Sequence, residues 1–209
     1  MTVIQHPSAR RPELAWDVAR LYPLQGEWDV SDYLALTENL NRLVELCDGY
    51  LEVLPMPKTS HQRIVQYLST LLAAFVTARS LGTVLFAPLR IKLGKGRFRE
   101  PDVVFMSAAH AARIGEDYWD GADLVIEVLS TQAKDRNRDL VTKRKEYAQA
   151  GIAEYWIVDP QEKRITVLKR RGKTYIVHCE ARNEDAVNSS LLKGFEVSAK
   201  DVFASTSTH

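Results

Sequence analysis

An ionisable residue inside an apolar segment is the feature that most constrains this chain. The segment is DLVIEVLS, Asp123 to Ser130, in which five of the eight residues are Leu, Val or Ile. Such a run predicts a buried strand, and Glu127 lies at its centre. A buried carboxylate costs several kcal/mol unless a positive partner or a metal compensates its charge. We therefore expect a compensating group close to Glu127.

The sequence around this segment predicts an α/β fold. A helix from about residue 135 to 150 follows the strand, Gly151 suits the position after the helix end, and EYWIVD at 154–159 predicts another strand. A strand–helix–strand unit calls for parallel strands joined by a right-handed crossover. Hairpins are predicted around Asp48-Gly49 and Arg171-Gly172. The predicted fold is therefore a mixed β-sheet flanked by helices.

Two further helices are predicted upstream. The first begins at Ser31 or Asp32 and ends near residues 39–41, and the second is capped by Ser60 and runs through Arg79. Residues 1–27 are irregular. We expect one domain.

Composition and charge exclude several classes of protein. The net charge is +1, so contact with nucleic acid must come from a local patch. No stretch approaches the roughly 18 apolar residues of a membrane helix, and the N-terminus lacks a signal-peptide core. Cys47 and Cys179 are too isolated for a disulfide framework or a zinc site. We expect a cytoplasmic protein that does not contact a membrane.

A second acid lies at the start of a neighbouring predicted strand. Asp102 follows Pro101, and Pro commonly marks the first position of a strand because it lacks a ladder donor. Two strands that each bring one acid to a similar depth could hold a divalent cation. The alternatives are a Glu127 paired with Lys or Arg and an Asp102 that only forms a turn.

A positive residue is available on the predicted helix. Leu140, Tyr147 and Gly151 form one stripe, and Lys143 lies at its edge. Arg144 fits this spacing nearly as well. Between residues 134 and 145 there are six Lys or Arg and two Asp. These basic residues could therefore also form a solvated helix face or contact the phosphates of a nucleic acid.

These segments, taken in order, resemble the motifs of the PD-(D/E)xK nuclease superfamily. They are most similar to its branch of restriction-endonuclease-like proteins of unknown substrate, and the resemblance spans roughly residues 28–203. The matching residues are Pro101-Asp102, Glu127-Val128-Leu129-Ser130, Asp139-Leu140-x-x-Lys143-x-x-x-Tyr147 and Glu154-Tyr155-Trp156-Ile157-Val158-Asp159. Tyr50 departs from the family's usual Glu, and Thr131-Gln132 replaces its usual Pro-Ser.

The resemblance implies a role for each site residue. Asp102, Glu127 and Lys143 would be catalytic, and the two carboxylates would hold Mg²⁺ or Mn²⁺. Lys143 would be the signature lysine moved from the strand to the helix, because Leu129 occupies the usual position. Glu45 matches an upstream acid that often is a further metal ligand, although a structural Glu beside Lys or Arg is equally open.

The implied fold is a restriction-endonuclease-like core at 28–203, preceded by the irregular segment 1–27 and followed by a disordered tail at 204–209. The implied activity is hydrolysis of phosphodiester bonds in nucleic acid, with DNA expected before RNA, by a homodimer. The alternative is a non-catalytic nucleic-acid-binding or regulatory protein that retains the fold. His61 follows a Ser typical of the family, and a capping or packing role competes there with a catalytic one.

Overall fold

The structure is a computed structural model that describes residues 22–38, 40 and 42–206. The first half contains helix α1 (Val30–Glu38), strands β1 (Val44–Cys47) and β2 (Tyr50–Val53), helix α2 (Thr59–Thr77), and strands β3 (Gly82–Phe86), β4 (Ile91–Gly94), β5 (Arg97–Arg99) and β6 (Val103–Ser107). A 3₁₀ segment, Ala108–Arg113, follows.

The second half begins with strand β7 (Leu124–Val128). One irregular helical segment comes next, made of α3 (Ala133–Asn137), a π-helical turn (Arg138–Lys143) and α4 (Arg144–Gln149). The chain then forms strands β8 (Glu154–Asp159), β9 (Arg164–Arg171), β10 (Thr174–Arg182), β11 (Ala186–Asn188) and β12 (Glu196–Ser198), and helix α5 (Ala199–Ala204).

Six strands form the main sheet in the order β10-β9-β8-β7-β6-β3. Only β7 and β8 pair in parallel within this sheet of the described chain, with Glu127 opposite Ile157. The remaining neighbours pair antiparallel. The prediction of an α/β fold with a mixed sheet flanked by helices is confirmed.

Strand alternation divides the core into two apolar layers. On one face Val103, Phe105 and Ile126 pack with α2. On the other face Val104, Val125 and Leu129 pack with residues of α4 and β8 that include Tyr147 and Tyr155. Because odd and even positions of β7 point to opposite faces, Glu127 belongs to the face that carries α4.

A smaller sheet, in the order β2-β1-β5-β4, packs with α1 around Tyr33, Leu46 and Phe98. The turn between β1 and β2 places Asp48 and Gly49 at φ angles of 50° and 86°. Asp-Gly favours this left-handed pair, which suits a two-residue hairpin. A Cβ on Gly49 would meet the backbone of Gly26, so this position requires glycine.

Several details differ from the sequence-based predictions. Lys58, not Ser60, precedes the first turn of α2, and its side chain makes no capping hydrogen bond. The predicted helix at 135–150 begins at Ala133 and contains the π turn. Ala204 lies in α5 rather than in a tail. Residues 1–21 and 207–209, which include most of the predicted irregular segment, lie outside the described residues.

None of the helices in the described ranges is both long and apolar enough to cross a bilayer.

Candidate active site

Asp102 and Glu127 stand opposite each other at the same end of the main sheet. Strands β6 and β7 pair antiparallel with Val103 opposite Ile126, and the next pair in that register is Asp102 with Glu127. The backbone N–H of Val128 donates to Oδ2 of Asp102 at 2.7 Å. Asp102 directly precedes β6. Pro101, which has no backbone N–H for a sheet hydrogen bond, lies between β5 and Asp102. The sheet therefore brings the two predicted acids to one place.

Glu127 is buried beneath the helix that follows β7. Its side chain is only 5% exposed, and its Oε1 accepts hydrogen bonds from Lys143 Nζ at 2.8 Å and from the Tyr147 hydroxyl at 2.6 Å. Burial raises the pKa of Glu127 to about 8, although the Lys143 ammonium opposes this change. Oε2 accepts no hydrogen bond from the described part of the chain.

Lys143 is surrounded by carboxylates. Its Nζ lies 2.8 Å from Glu127, 3.2 Å from Glu45 and 3.4 Å from Asp139. Burial lowers the pKa of Lys143, but the three negative charges raise this pKa by more than burial lowers it. The pKa of Lys143 is therefore raised overall. Lys143 therefore stays an ammonium ion at neutral pH and can act as a cation but not as a proton acceptor. Arg144 instead donates to the carbonyl of Tyr175.

The π turn helps to direct the Lys143 side chain towards the sheet. Asp139, Lys143 and Tyr147 are buried at successive intervals of four residues, and Asp139 and Lys143 lie within Arg138–Lys143. A π turn inserts one extra residue into the helical repeat and is frequent at functional sites. The insertion shifts which side chains face the sheet, and Lys143 moves from the edge of the predicted stripe to its centre.

Glu45 is held by ion pairs instead of facing the pocket. It is fully buried, and it accepts hydrogen bonds from Arg99 Nη1 at 2.7 Å and from the Glu100 N–H at 3.0 Å. Arg99 also donates twice to Glu146. Burial raises the pKa of Glu45, but Lys143 and Arg99 lower it more, to about 2. This is the paired arrangement that the sequence left open, and the ligand role of Glu45 stays a prediction.

His61 approaches Asp102 from the first turn of α2. Its Nε2 lies 3.3 Å from the same Oδ2 that accepts the Val128 N–H. Burial lowers the pKa of His61, but the hydrogen bond to Asp102 and its negative charge outweigh burial, so the pKa is raised. The only signal in the sequence was the Ser60-His61 pair at a helix start.

One pocket receives all three predicted catalytic residues. Asp102, Glu127 and Lys143 line it together with His61 and Glu100. Its other lining residues, which form an apolar wall and a polar rim, are Leu43, Leu54, Pro55, Met56, Pro57, Lys58, Ser60, Gln62, Val65, Ala87, Val128, Leu129, Ser130, Thr131, Gln132, Asp135, Arg138, Asp139, Pro160 and Gln161.

Glu100 is the acid that the sequence reasoning missed. It is 8% exposed, and its Oε2 has no hydrogen-bond partner in the described residues. Burial and the charge of Glu45 raise its pKa to about 7, against the opposing charges of Arg90 and Lys143. Its position beside Pro101-Asp102 was the available signal.

The donor set fits a divalent cation with oxygen ligands. Oδ1 of Asp102 and Oε2 of Glu127 accept no hydrogen bond from any described residue, and both side chains line the pocket. No group of three or more His, Cys, Asp or Glu side chains suited to a metal occurs in the described ranges. Mg²⁺ commonly uses one or two carboxylates and completes its shell with water and phosphate oxygens, so two carboxylates are sufficient.

Comparison with known proteins gives a family match and a structural match. A family model named Uma2 and described as "Putative restriction endonuclease" matches residues 30–200. A crystal structure described as a "putative nuclease belonging to DUF820", from Anabaena variabilis ATCC 29413, shares the fold with a TM-score of 0.72 at 19% identity, over 86% of this chain and 99% of that one. No curated protein matches.

The structural match confirms the predicted restriction-endonuclease-like core. The family match, which spans most of the sequence, supports a nuclease-like function. Together the two matches confirm the resemblance to the restriction-endonuclease-like branch of the PD-(D/E)xK superfamily. The chain belongs to the Uma2 family of restriction-endonuclease-like proteins.

Proposed function

We propose that this protein is a metal-dependent nuclease that hydrolyses phosphodiester bonds in nucleic acid, with DNA as the first substrate to test. The observation that carries the proposal is that Asp102 and Glu127 line one pocket with free oxygens while the Lys143 ammonium lies beside them. The two carboxylates would hold Mg²⁺ or Mn²⁺. The family description supports the same class of reaction.

The metal would polarise the scissile phosphate and lower the pKa of a bound water towards neutrality. Lys143 would stabilise the negative charge that develops on the phosphate, since its raised pKa keeps it cationic. Tyr147 holds Oε1 of Glu127 through its hydroxyl, which leaves Oε2 as the oxygen that could bind a metal. The apolar wall of the pocket would limit the access of water to the reacting phosphate.

The test is cleavage of supercoiled plasmid and of labelled single-stranded and duplex oligonucleotides with Mg²⁺ or Mn²⁺. The variants Asp102→Asn and Glu127→Gln keep the shape of each side chain and remove its charge. Each should lower the rate by about 100-fold or more, which is the cost of removing one group that stabilises a transition state. Chelation of the metal should abolish cleavage by the wild type.

Asp123→Asn is the matched control. Asp123 is a buried carboxylate that precedes the other end of β7, where it accepts from the Ser107 N–H and pairs with His110. It does not line the pocket, so its neutralisation should leave the rate unchanged in protein that remains folded. Wild-type protein that binds nucleic acid but cleaves none of these substrates with either metal contradicts the proposal and favours the non-catalytic alternative.

A further inference from the structure

We infer that His61 is a positioning residue for Asp102: it holds one oxygen of the carboxylate so that the other faces the pocket. The inference rests on the proposed function, because it assigns a role within the same site. His61 belongs neither to the predicted catalytic residues nor to the predicted metal ligands.

Two nitrogen atoms from different parts of the fold lie close to a single oxygen. Oδ2 of Asp102 lies 3.3 Å from Nε2 of His61, on α2, and 2.7 Å from the N–H of Val128, on β7. A carboxylate held by one hydrogen bond can still rotate about its last side-chain torsion, which has a broad energy profile. The imidazole, at ion-pair distance from the same oxygen, restricts that rotation from a second side. Oδ1 is left without a hydrogen bond from the described residues.

The imidazole ring is itself fixed. His61 is in the first turn of α2, and its side chain is 17% exposed. The next turn of this helix packs Ile64, Val65 and Leu68 into the main core. The ring therefore approaches Asp102 from a rigid element, as is typical of a group that orients a metal ligand.

The environment of Nδ1 argues against a purely structural role. This nitrogen is buried and has no hydrogen-bond partner in the described residues. A buried polar atom without a partner destabilises the folded state. A side chain selected only for packing at this position would avoid that cost, whereas a group that orients Asp102 needs the ring.

The chain provides its own comparison pair. His110 also contacts an aspartate, with Nδ1 2.8 Å and 2.9 Å from the two oxygens of Asp123. Its side chain is half exposed, and it does not line the pocket. Substitution of His110 thus removes a histidine–aspartate contact without touching the proposed metal ligands.

The experiment measures Mn²⁺ affinity by calorimetry for the wild type and for His61→Ala, His61→Gln and His61→Asn. Loss of a group that orients a metal ligand typically weakens affinity about 10–100-fold, and we expect a loss in this range for His61→Ala. The amide nitrogen of Gln reaches the position of Nε2, so His61→Gln should recover most of the affinity. The amide nitrogen of Asn falls near Nδ1, so His61→Asn should not. His110→Ala should match the wild type.

A second readout does not depend on metal. In metal-free crystal structures the Asp102 carboxylate should be rotated or disordered in His61→Ala and His61→Asn, and ordered as in the wild type in His61→Gln. A wild type that binds no Mn²⁺ would contradict the proposed function, and the orientation of Asp102 would still decide the role of His61. Unchanged orientation and affinity in His61→Ala, or equal recovery by Asn and Gln, would overturn the inference.

Discussion

Replacement of Lys143 by methionine removes the ammonium around which the buried part of the site is built. Methionine has a similar length and no charge, so packing between the helix and the sheet should persist. The ammonium lies within 3.4 Å of Glu127, Glu45 and Asp139, and all three are nearly or fully buried. The substitution therefore leaves three carboxylates with one positive neighbour fewer.

The expected loss of stability is large. Removal of one partner from a buried ion pair costs about 3–5 kcal/mol, because the remaining charge is left uncompensated. The pKa of Glu45 agrees in direction: burial raises it, but Lys143 and Arg99 lower it more, to about 2. We expect Lys143→Met to cost about 3–5 kcal/mol.

Glu127→Gln should behave very differently. The amide keeps an oxygen that can accept from Lys143 and Tyr147, and Lys143 retains Glu45 and Asp139 as partners. The loss should therefore stay below about 1 kcal/mol in metal-free buffer. The double variant should be more stable than Lys143→Met alone, because one of the unpaired carboxylates is gone.

Urea unfolding followed by circular dichroism, in metal-free buffer at neutral pH, measures these free energies for the four proteins of the cycle. For a chain of this size about 3–5 kcal/mol corresponds to a melting temperature lower by about 6–20 °C. A loss below about 1 kcal/mol for Lys143→Met, or an equal loss for Glu127→Gln, would refute the view that Lys143 compensates the charge of the buried carboxylates around it.

Three further predictions concern pH, the sheet and assembly. Mn²⁺ affinity measured by calorimetry should fall as the pH is lowered below about 8, since burial raises the pKa of Glu127 to about 8 and a carboxylate must lose its proton to bind a metal. Burial raises the pKa of Asp159, but hydrogen bonds from Arg136 and from turn N–H groups lower it more. Asp159→Asn should cost about 2 kcal/mol in urea unfolding at neutral pH; the difference from wild type should begin to shrink only below the ordinary carboxyl pKa of 3.8 and be lost as the pH falls further, through the lowered pKa of native Asp159. Light scattering should report a two-fold dimer, because such interfaces are the commonest in oligomers, and a mass of 23.7 kDa would contradict this.

The parts of the fold that are local in sequence could be predicted from it. DLVIEVLS and EYWIVD have the composition of buried strands, and the distance between them leaves room for a crossover helix. The Asp48-Gly49 turn also follows from local chemistry, because both residues tolerate a positive φ. The start of α2 could not be predicted from local chemistry. Ser60 is a good capping residue, but the extended residue that precedes the helix is Lys58.

The acids at the sheet end could be predicted, but their partners could not. Asp102 and Glu127 each stand at a defined position on a strand, and pairing of the two strands brings them together. The contacts of Arg99 with Glu45 and Glu146 join residues 54 and 47 positions apart. The Arg99–Glu45 contact depends on the pairing of strands β5 and β1, which are distant in sequence. The Arg99–Glu146 contact depends on how the small sheet packs against the helix, which no periodicity encodes.

The π turn is a further feature without a local signal. The residues of Arg138–Lys143 include neither Pro nor Gly, and their spacing fits an ordinary α-helix. Regular α-helical spacing predicts that Lys143 lies at the edge of the apolar stripe, and it predicts nearly as well that Arg144 faces the sheet. The extra residue of the turn decides between them, since Lys143 is buried and Arg144 is half-buried.

The hydrogen bonds also indicate which carboxylates are available to a cation. For Glu45 to become a ligand, it would have to give up bonds from Arg99 and Lys143, and both of these cations would then lose a buried partner. Asp102 and Glu127 require no such exchange, because each uses one oxygen for protein donors and keeps the other free in the part of the chain that the structure describes. The structure therefore favours Asp102 and Glu127 as ligands, and a supporting role for Glu45 in holding Lys143.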